Sequence, residues 1–313
     1  MAHRWQLPTY GGIDALELVE VEVPEPAPGQ VTIALSAVGV NPSDYKTLGG
    51  GWNADESLLP LPVGQEAVGV IAAVGADTEI ATGPVAVGDR VVAFKITGAF
   101  AELVTVSAAD VFALPDTVED VEAAGLLHVG VVAAELLALS GATEGQTLLV
   151  HGASGSVGVL VVQLARRAGI RVIGTASEAN QGKIREFGAE PVVYGEGLAD
   201  RVRALAPEGV DAAVDAVGSD ESLPVSLELV GDPSRVATLA PGPAAKEAGV
   251  KISAGMMPAS IQFRMPQRAV ILDLAARGDL VLPIARTFPL AEAKEALRFV
   301  SSGHPGGKVV LTV

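Results

Sequence analysis

The stretch from Thr147 to Gly169, TLLVHGASGSVGVLVVQLARRAG, carries a short apolar run through a turn of small residues into an apolar helical pattern. Ala153, Gly155 and Gly158 stand there at the spacing of G-x-G-x-x-G, with alanine at the first position and Gly152 just before it. Ser154, Ser156 and Val157 complete the turn. Such a turn suits a pyrophosphate: Gly155 lets backbone N–H groups come close, Gly158 lets the helix pack on the strand, and the helix N-terminus attracts the anion. Taken alone, the spacing serves equally as a plain strand-to-helix bend. Its context selects a dinucleotide grip, because it follows a strand, opens a helix and sits in a run of alternating elements.

The elements that position this turn change character along the chain. LELVEVEV (16–23) alternates apolar and acidic residues as a half-buried strand does, and VTIALSAVGV (31–40), VGVIAAVG (68–75), DRVVAF (89–94) and AELVTV (101–106) continue as strands. From about residue 120, strands at 147–151, 171–176, 191–194, 210–218, 235–240 and 250–255 alternate with helical patterns. That alternation predicts a parallel sheet covered on both faces. After about 265 the pattern returns to the first domain through two helices and the closing strand GKVVLTV. The expected fold is α/β: a mainly β domain (1–120 and 266–313) with an inserted doubly wound parallel-sheet domain (121–265).

Composition narrows the function classes. The 313 residues exceed one typical core, and 49% hydrophobic with only 4% aromatic residues means Ala, Val and Leu fill it. A formal charge of −16 argues against nucleic acid and anionic membranes as partners, which need a basic face. With no cysteine, disulfides, thiolate nucleophiles and thiolate zinc sites are excluded. The apolar run 123–142 contains His128 and Glu135, so it reads as a buried helix rather than a membrane span. MAHRWQLPTYGG has no signal-peptide pattern, and a cytoplasmic location is expected.

HGASGSVG, Ser177 and Asn180, FGA (187–189), Tyr194 and the DAVG of Asp215–Gly218 resemble the medium-chain dehydrogenase/reductase superfamily. LELVEVEVPEPAPGQV, GVNPSDYKTLGG, VGQEAVGVIAAVG, GDRV and GAFAELV extend the resemblance over nearly the whole chain. It is most similar to the zinc-independent quinone oxidoreductases, which reduce quinones, enals or enones with NADPH. The resemblance implies a GroES-like first domain, a Rossmann second domain and a homodimer joined at the edge strand VKISAG. Zinc-dependent relatives have cysteine about where Asn41 stands and histidine about where Gln65 stands, and the amides here are poor zinc ligands.

For the cofactor, the end of the second strand, Gly174-Thr175-Ala176-Ser177, is small and neutral, which favours NADPH over NADH. Glu178, about 20 residues beyond the glycines, is the competing fact. The resemblance gives Ser177, Asn180 and Tyr194 to the 2′-phosphate side, where Lys183 of the following helix adds charge, and Val217, Gly218, Leu239 and Ala240 at the strand ends join the cofactor set. For the chemistry, NPSDYK offers donors in Asn41, Tyr45 and Lys46 on the loop after the 31–40 strand. The resemblance places Asn41 beside the nicotinamide. Each donor has a plainer reading: Asn41 as an Asn-Pro turn former, Tyr45 as a packing aromatic, Lys46 as a solvated charge. His128 reads as a core histidine, with replacement proton donor as the other option; His151 reads as strand-end packing. Two other functions stay open: an enoyl-thioester reductase, and a cofactor-binding protein with little activity.

Overall fold

The computed structural model describes residues 1–50, 54–303 and 305–313. They form two compact units, Met1–His128 with Pro283–Val313, and Val129–Leu282. The chain begins with β1 (Ala2–Leu7), which the sequence reading did not predict, paired antiparallel with β2 (Glu17–Val21). Trp5 and Leu7 of β1 are buried, and the Trp5 indole donates to the Leu290 carbonyl at 2.8 Å. β3 (Gln30–Val40) leads into α1 (Pro42–Leu48) and the short β4 (Leu61–Pro62). The strands β5 (Glu66–Val74), β6 (Arg90–Phe94), β7 (Leu103–Ser107) and β8 (Val111–Ala113) follow.

NPSDYK is therefore a helix rather than the expected loop. Asn41 is the extended residue before it, Pro42 occupies the first turn where no N–H is needed, and Asp44 Oδ2 accepts the Asn41 N–H at 2.8 Å.

Helix α2 (Asp120–Ser140) contains the last residues of the first unit and the first of the second, and 67% of its most apolar window is buried. It is long and apolar enough to cross a membrane by length and composition. The second unit continues with β9 (Thr147–His151), α3 (Ser156–Arg167), β10 (Arg171–Ala176), α4 (Gln181–Glu186), β11 (Glu190–Val193) and α5 (Leu198–Leu205). β12 (Ala212–Asp215), α6 (Ser222–Val230), β13 (Val236–Thr238), α7 (Pro243–Ala248), β14 (Lys251–Ile252) and α8 (Pro258–Ala276) complete it. All six strands pair in parallel in the order β11-β10-β9-β12-β13-β14. That order reverses direction beside β9, the switch point at which doubly wound sheets bind ligands.

The unit boundaries lie at 128/129 and 282/283, not at 120/121 and 265/266. The second shift has a clear cause, since α8 runs unbroken through Pro266 and packs on the later part of α2. A Cβ on Gly130 would meet Ile271 at 2.7 Å, and Arg264 is paired with the buried Glu135 at 2.6 Å. Gln163 of α3 then holds Val281 by both its N–H and its carbonyl.

The chain returns to the first unit with β15 (Ile284–Pro289), α9 (Ala293–Ser301) and β16 (Lys308–Thr312). They complete a sheet of order β15-β16-β3-β5-β6-β8, with β7 also paired to β3. Its core is aliphatic: Ile33, Val38, Ile71 and Val91, capped by Leu297 and Val300 of α9.

Candidate active site

The glycine turn of the Rossmann unit separates two needs that the motif spacing merges. The positive-φ position is Gly152 (φ 71°), so the conformational glycine lies one residue ahead of Ala153. Ala153 is fully buried, donates its N–H to Thr175 O at 3.0 Å, and lies where a Cβ on Gly174 would meet its own Cβ at 2.8 Å. A Cβ on Gly158 would sit 2.2 Å from the Gly152 carbonyl oxygen, so helix and turn touch only because that position is glycine. A Cβ on Gly155 would meet only the Gly152 oxygen, at 3.4 Å, an ordinary contact. Packing therefore explains Gly158 and not Gly155. Gly155 leaves open space at the first turn of α3, where the orphan N–H groups of a helix start can donate to an anion.

The other predicted cofactor residues gather at the carboxyl ends of β10 to β13. Asn180 Nδ2 donates to Ser177 Oγ at 3.0 Å in the turn after β10. Glu178 in that turn is exposed. Lys183 is half-buried, and burial pulls its ammonium below the usual lysine range. Tyr194 and Val217 are exposed apolar side chains at the ends of β11 and β12. Gly218 (φ 72°) is held by its N–H on Asp215 Oδ1 at 2.8 Å, and a Cβ there would meet Ala240 at 2.6 Å. Leu239 N–H bonds Asp215 O at 3.1 Å, and Ala240 N–H bonds Thr238 Oγ1 at 3.0 Å. Ser154, Ser156 and Val157 are half-buried in the turn. Together these residues fit a dinucleotide, with the open position at Gly155 as the cradle.

His151 ends β9 beside this turn and is 2% exposed. Burial pushes its imidazole down to about 4, against the pull of Asp215 and Glu221, so it is neutral at pH 7.

In the β-rich unit the three candidate donors separate. Lys46 is exposed, and Tyr45 is partly buried against the aliphatic core. Asn41 is 1% exposed, and its side chain bonds two charged groups far along the chain. Its Nδ2 donates to Glu66 Oε1 at 2.8 Å, and its Oδ1 accepts from Lys308 Nζ at 2.6 Å. Lys308 Nζ also reaches Glu66 Oε1 at 2.7 Å, and Glu66 Oε2 accepts the His128 N–H at 3.2 Å. Gln65 Nε2 donates to Ser43 Oγ at 3.2 Å and Asp44 Oδ1 at 3.3 Å. The His128 ring stacks edge-on against Phe94, with centroids 5.4 Å apart.

Sequence reasoning missed Lys308 altogether and gave Glu66 no role. The available signal was a lone charge at the start of each apolar strand, EAVGVIAAV and KVVLT, since buried charges need partners.

Burial pushes the Asp44 carboxyl up to about 7, against the Asn41 N–H and the charge of Lys308. The folded pKa thus lies above the unfolded value of 3.8, and the folded state holds the extra proton between them. Stability from this group is full below 3.8 and is lost as pH rises toward 7, by roughly 4 kcal/mol at about 1.4 kcal/mol per unit. His151 acts in the opposite sense from about 4 to 6.5, where falling pH destabilises the fold. Asp44→Asn mimics the protonated acid and is expected to flatten the loss above pH 5. Urea midpoints of the variant and wild type at pH 5, 6.5 and 8 check this; parallel pH curves for the two proteins would refute it.

Residues 27–116 match the family model of the alcohol dehydrogenase GroES-like domain, and 187–311 match that of the zinc-binding dehydrogenases. A quinone oxidoreductase of Pseudomonas aeruginosa is 30% identical over 334 residues, covering 99% of each chain. The synaptic vesicle membrane protein VAT-1 homolog of Homo sapiens is 34% identical over 221 residues. That match covers 68% of this chain and 54% of the relative, so the chain spans about half of that protein's length. Among solved structures, mycobacterial Rv1454c complexed with NADPH is 29% identical, with a TM-score of 0.84 over 100% of both chains. CurK enoyl reductase is 26% identical, with a TM-score of 0.84 over 99% of each.

The fold joins a GroES-like domain to a Rossmann domain in one chain. The chain belongs to the zinc-independent, quinone oxidoreductase-like branch of the medium-chain dehydrogenase/reductase superfamily. The words "zinc-binding" in one family description carry no ligand set onto it. There is no cysteine, and among the described residues no cluster of three His, Asp or Glu side chains could hold a metal.

Proposed function

We propose that this protein reduces a quinone or an α,β-unsaturated carbonyl using NADPH, without a metal. The observation that carries the reading is the Asn41 amide, immobilised by Glu66 and Lys308 with one Nδ2 hydrogen left over. When bound, NADPH supplies a hydride from the nicotinamide C4. The Gly155 turn and the first turn of α3 would hold the pyrophosphate, while Ser177 and Asn180, bonded to each other, would offer neutral donors to the 2′-phosphate and Lys183 of the next helix would add charge. Substrate gains a C–H bond at an electrophilic carbon conjugated with the carbonyl, the displaced π electrons move onto the carbonyl oxygen, and a proton from solvent completes the reduction. Asn41 is the donor to that oxygen as charge grows there. Tyr45 and Lys46 belong to the same helix as second contacts to substrate. The site works as a homodimer in the cytoplasm, with a second chain beside the edge strand β14.

The test is loss of NADPH absorbance with an ortho-quinone, a 2-alkenal and a 2-enoyl thioester in separate wells, on protein whose sedimentation mass is also taken. Oxidation by quinone or alkenal with a two-chain mass is the expected result. Oxidation by the thioester alone would make it an enoyl-thioester reductase, to which CurK enoyl reductase is the structural parallel. Binding of NADPH with no turnover in any well would leave a cofactor-binding protein.

A further inference from the structure

We propose that Lys308 is a positioning residue for this reduction: its ammonium on Asn41 Oδ1 fixes and polarises the amide, aiming the remaining Nδ2–H at the substrate oxygen. The inference rests on the reading that Asn41 is the donor.

The chemistry of the three groups permits only one orientation of the amide. An ammonium has donors alone and a carboxylate has acceptors alone, so Lys308 must face Oδ1 and Glu66 must face Nδ2. The usual ambiguity of an asparagine flip is thereby removed. The Lys308–Glu66 pair is neutral as a whole, and Lys308 Nζ and Asn41 Nδ2 both bond the same Glu66 oxygen, Oε1. Asn41 Nδ2 has two hydrogens, of which Glu66 takes one. An amide whose oxygen is bonded to a cation is a stronger N–H donor, because bonds in such a chain polarise one another.

Two glycines on separate elements keep the room this arrangement needs. A Cβ on Gly39 of β3 would lie 2.4 Å from Glu66 Oε1, and one on Gly125 of α2 would lie 2.4 Å from Lys308 Cε. Lys308 and Glu66 are 2% and 1% exposed in their side chains. A pair serving only to tie β16 to β5 would be an expensive device, since apolar residues of similar volume usually replace buried ion pairs without loss. What apolar residues do not provide is a charged bond to Asn41 Oδ1.

Lys308→Met combined with Glu66→Gln removes both charges and leaves no unpaired ion. We expect this double variant to bind NADPH as wild type does, with kcat for the reactive substrate about tenfold lower and KM little changed. Asn41→Ala should cost about a hundredfold, and adding the double variant to it should cost nothing more. Gly125→Ala is the second route, because it displaces the Lys308 stem while keeping every charge and favouring the helix; a several-fold fall in kcat is expected there. A readout free of turnover is 4-nitrophenolate, an oxyanion probe, bound in the presence of NADP and followed by its absorbance; its affinity should fall by the same factors. Unchanged turnover in Asn41→Ala would overturn the donor reading itself. Loss in Asn41→Ala with wild-type kcat and probe affinity in the double variant, or in Gly125→Ala if the double variant does not fold, would overturn the role of Lys308 alone.

Discussion

Lys308→Met as a single change is expected to destabilise the β-rich unit by about 3–5 kcal/mol, the usual cost of stranding one partner of a buried ion pair. Glu66 would remain 1% exposed, with its Oε1 bonded only to Asn41 Nδ2 and its Oε2 to the His128 N–H. The carboxylate has little access to water to replace the lost partner, since Glu66 is buried with Gly39 beside its Oε1. Adding Glu66→Gln should restore most of the loss, since a neutral amide accepts and donates without a countercharge. Urea unfolding followed by tryptophan fluorescence reports on this unit, because Trp5 lies in its core. A single variant that unfolds at the wild-type midpoint, or a double variant no better than the single, would show that the charges are not buried as a pair.

The glycine turn gives the second large effect, and it takes the form of a contrast. Gly158→Ala places a methyl group 2.2 Å from a backbone oxygen and 2.8 Å from the Ala153 Cα, neither of which can swing aside as a side chain does. The turn and α3 must separate, at a cost of about 3 kcal/mol or more, and NADPH binding should be lost with the fold of the turn. Gly155→Ala meets only an ordinary contact, and its φ of −74° suits alanine. Its stability should stay within about 1 kcal/mol of wild type, while NADPH affinity drops at least tenfold, because the methyl group occupies the space the pyrophosphate needs. Thermal melts with and without NADPH separate the two. Equal NADPH affinity for Gly155→Ala and wild type would remove this turn from the cofactor site.

All six Rossmann strands were expected in the right order, two of them to the residue, whereas 210–218 shrinks to Ala212–Asp215 and 250–255 to Lys251–Ile252. TLLVH and RVIGTA became β9 and β10 with the same bounds, because strands buried on both faces are short apolar runs between helices. β1 was missed because His3, Arg4 and Gln6 break its apolar run; its partner β2 and the core under Trp5 supply what the local pattern lacks. Helix α1 was missed although Pro42 and Asp44 mark a helix start, since the helix has only seven residues and no apolar period develops. The first-position alanine of the glycine motif looked like a departure. In the structure the positive φ falls on Gly152, so the small side chain of Ala153 is what lets β9 and β10 close at Gly174.

By itself, then, the sequence determined the fold class, the exclusion of thiolate chemistry and the glycine turn from strand to helix, because each depends on residue type and on spacing within a few tens of residues. The tertiary structure decided what Asn41 is bonded to. Lys308 lies 267 residues from Asn41 and 242 from Glu66, and no local period relates them. They meet only because β16 pairs with β3 through Val309 and Val40, β3 pairs with β5, and two glycines leave space where the side chains cross.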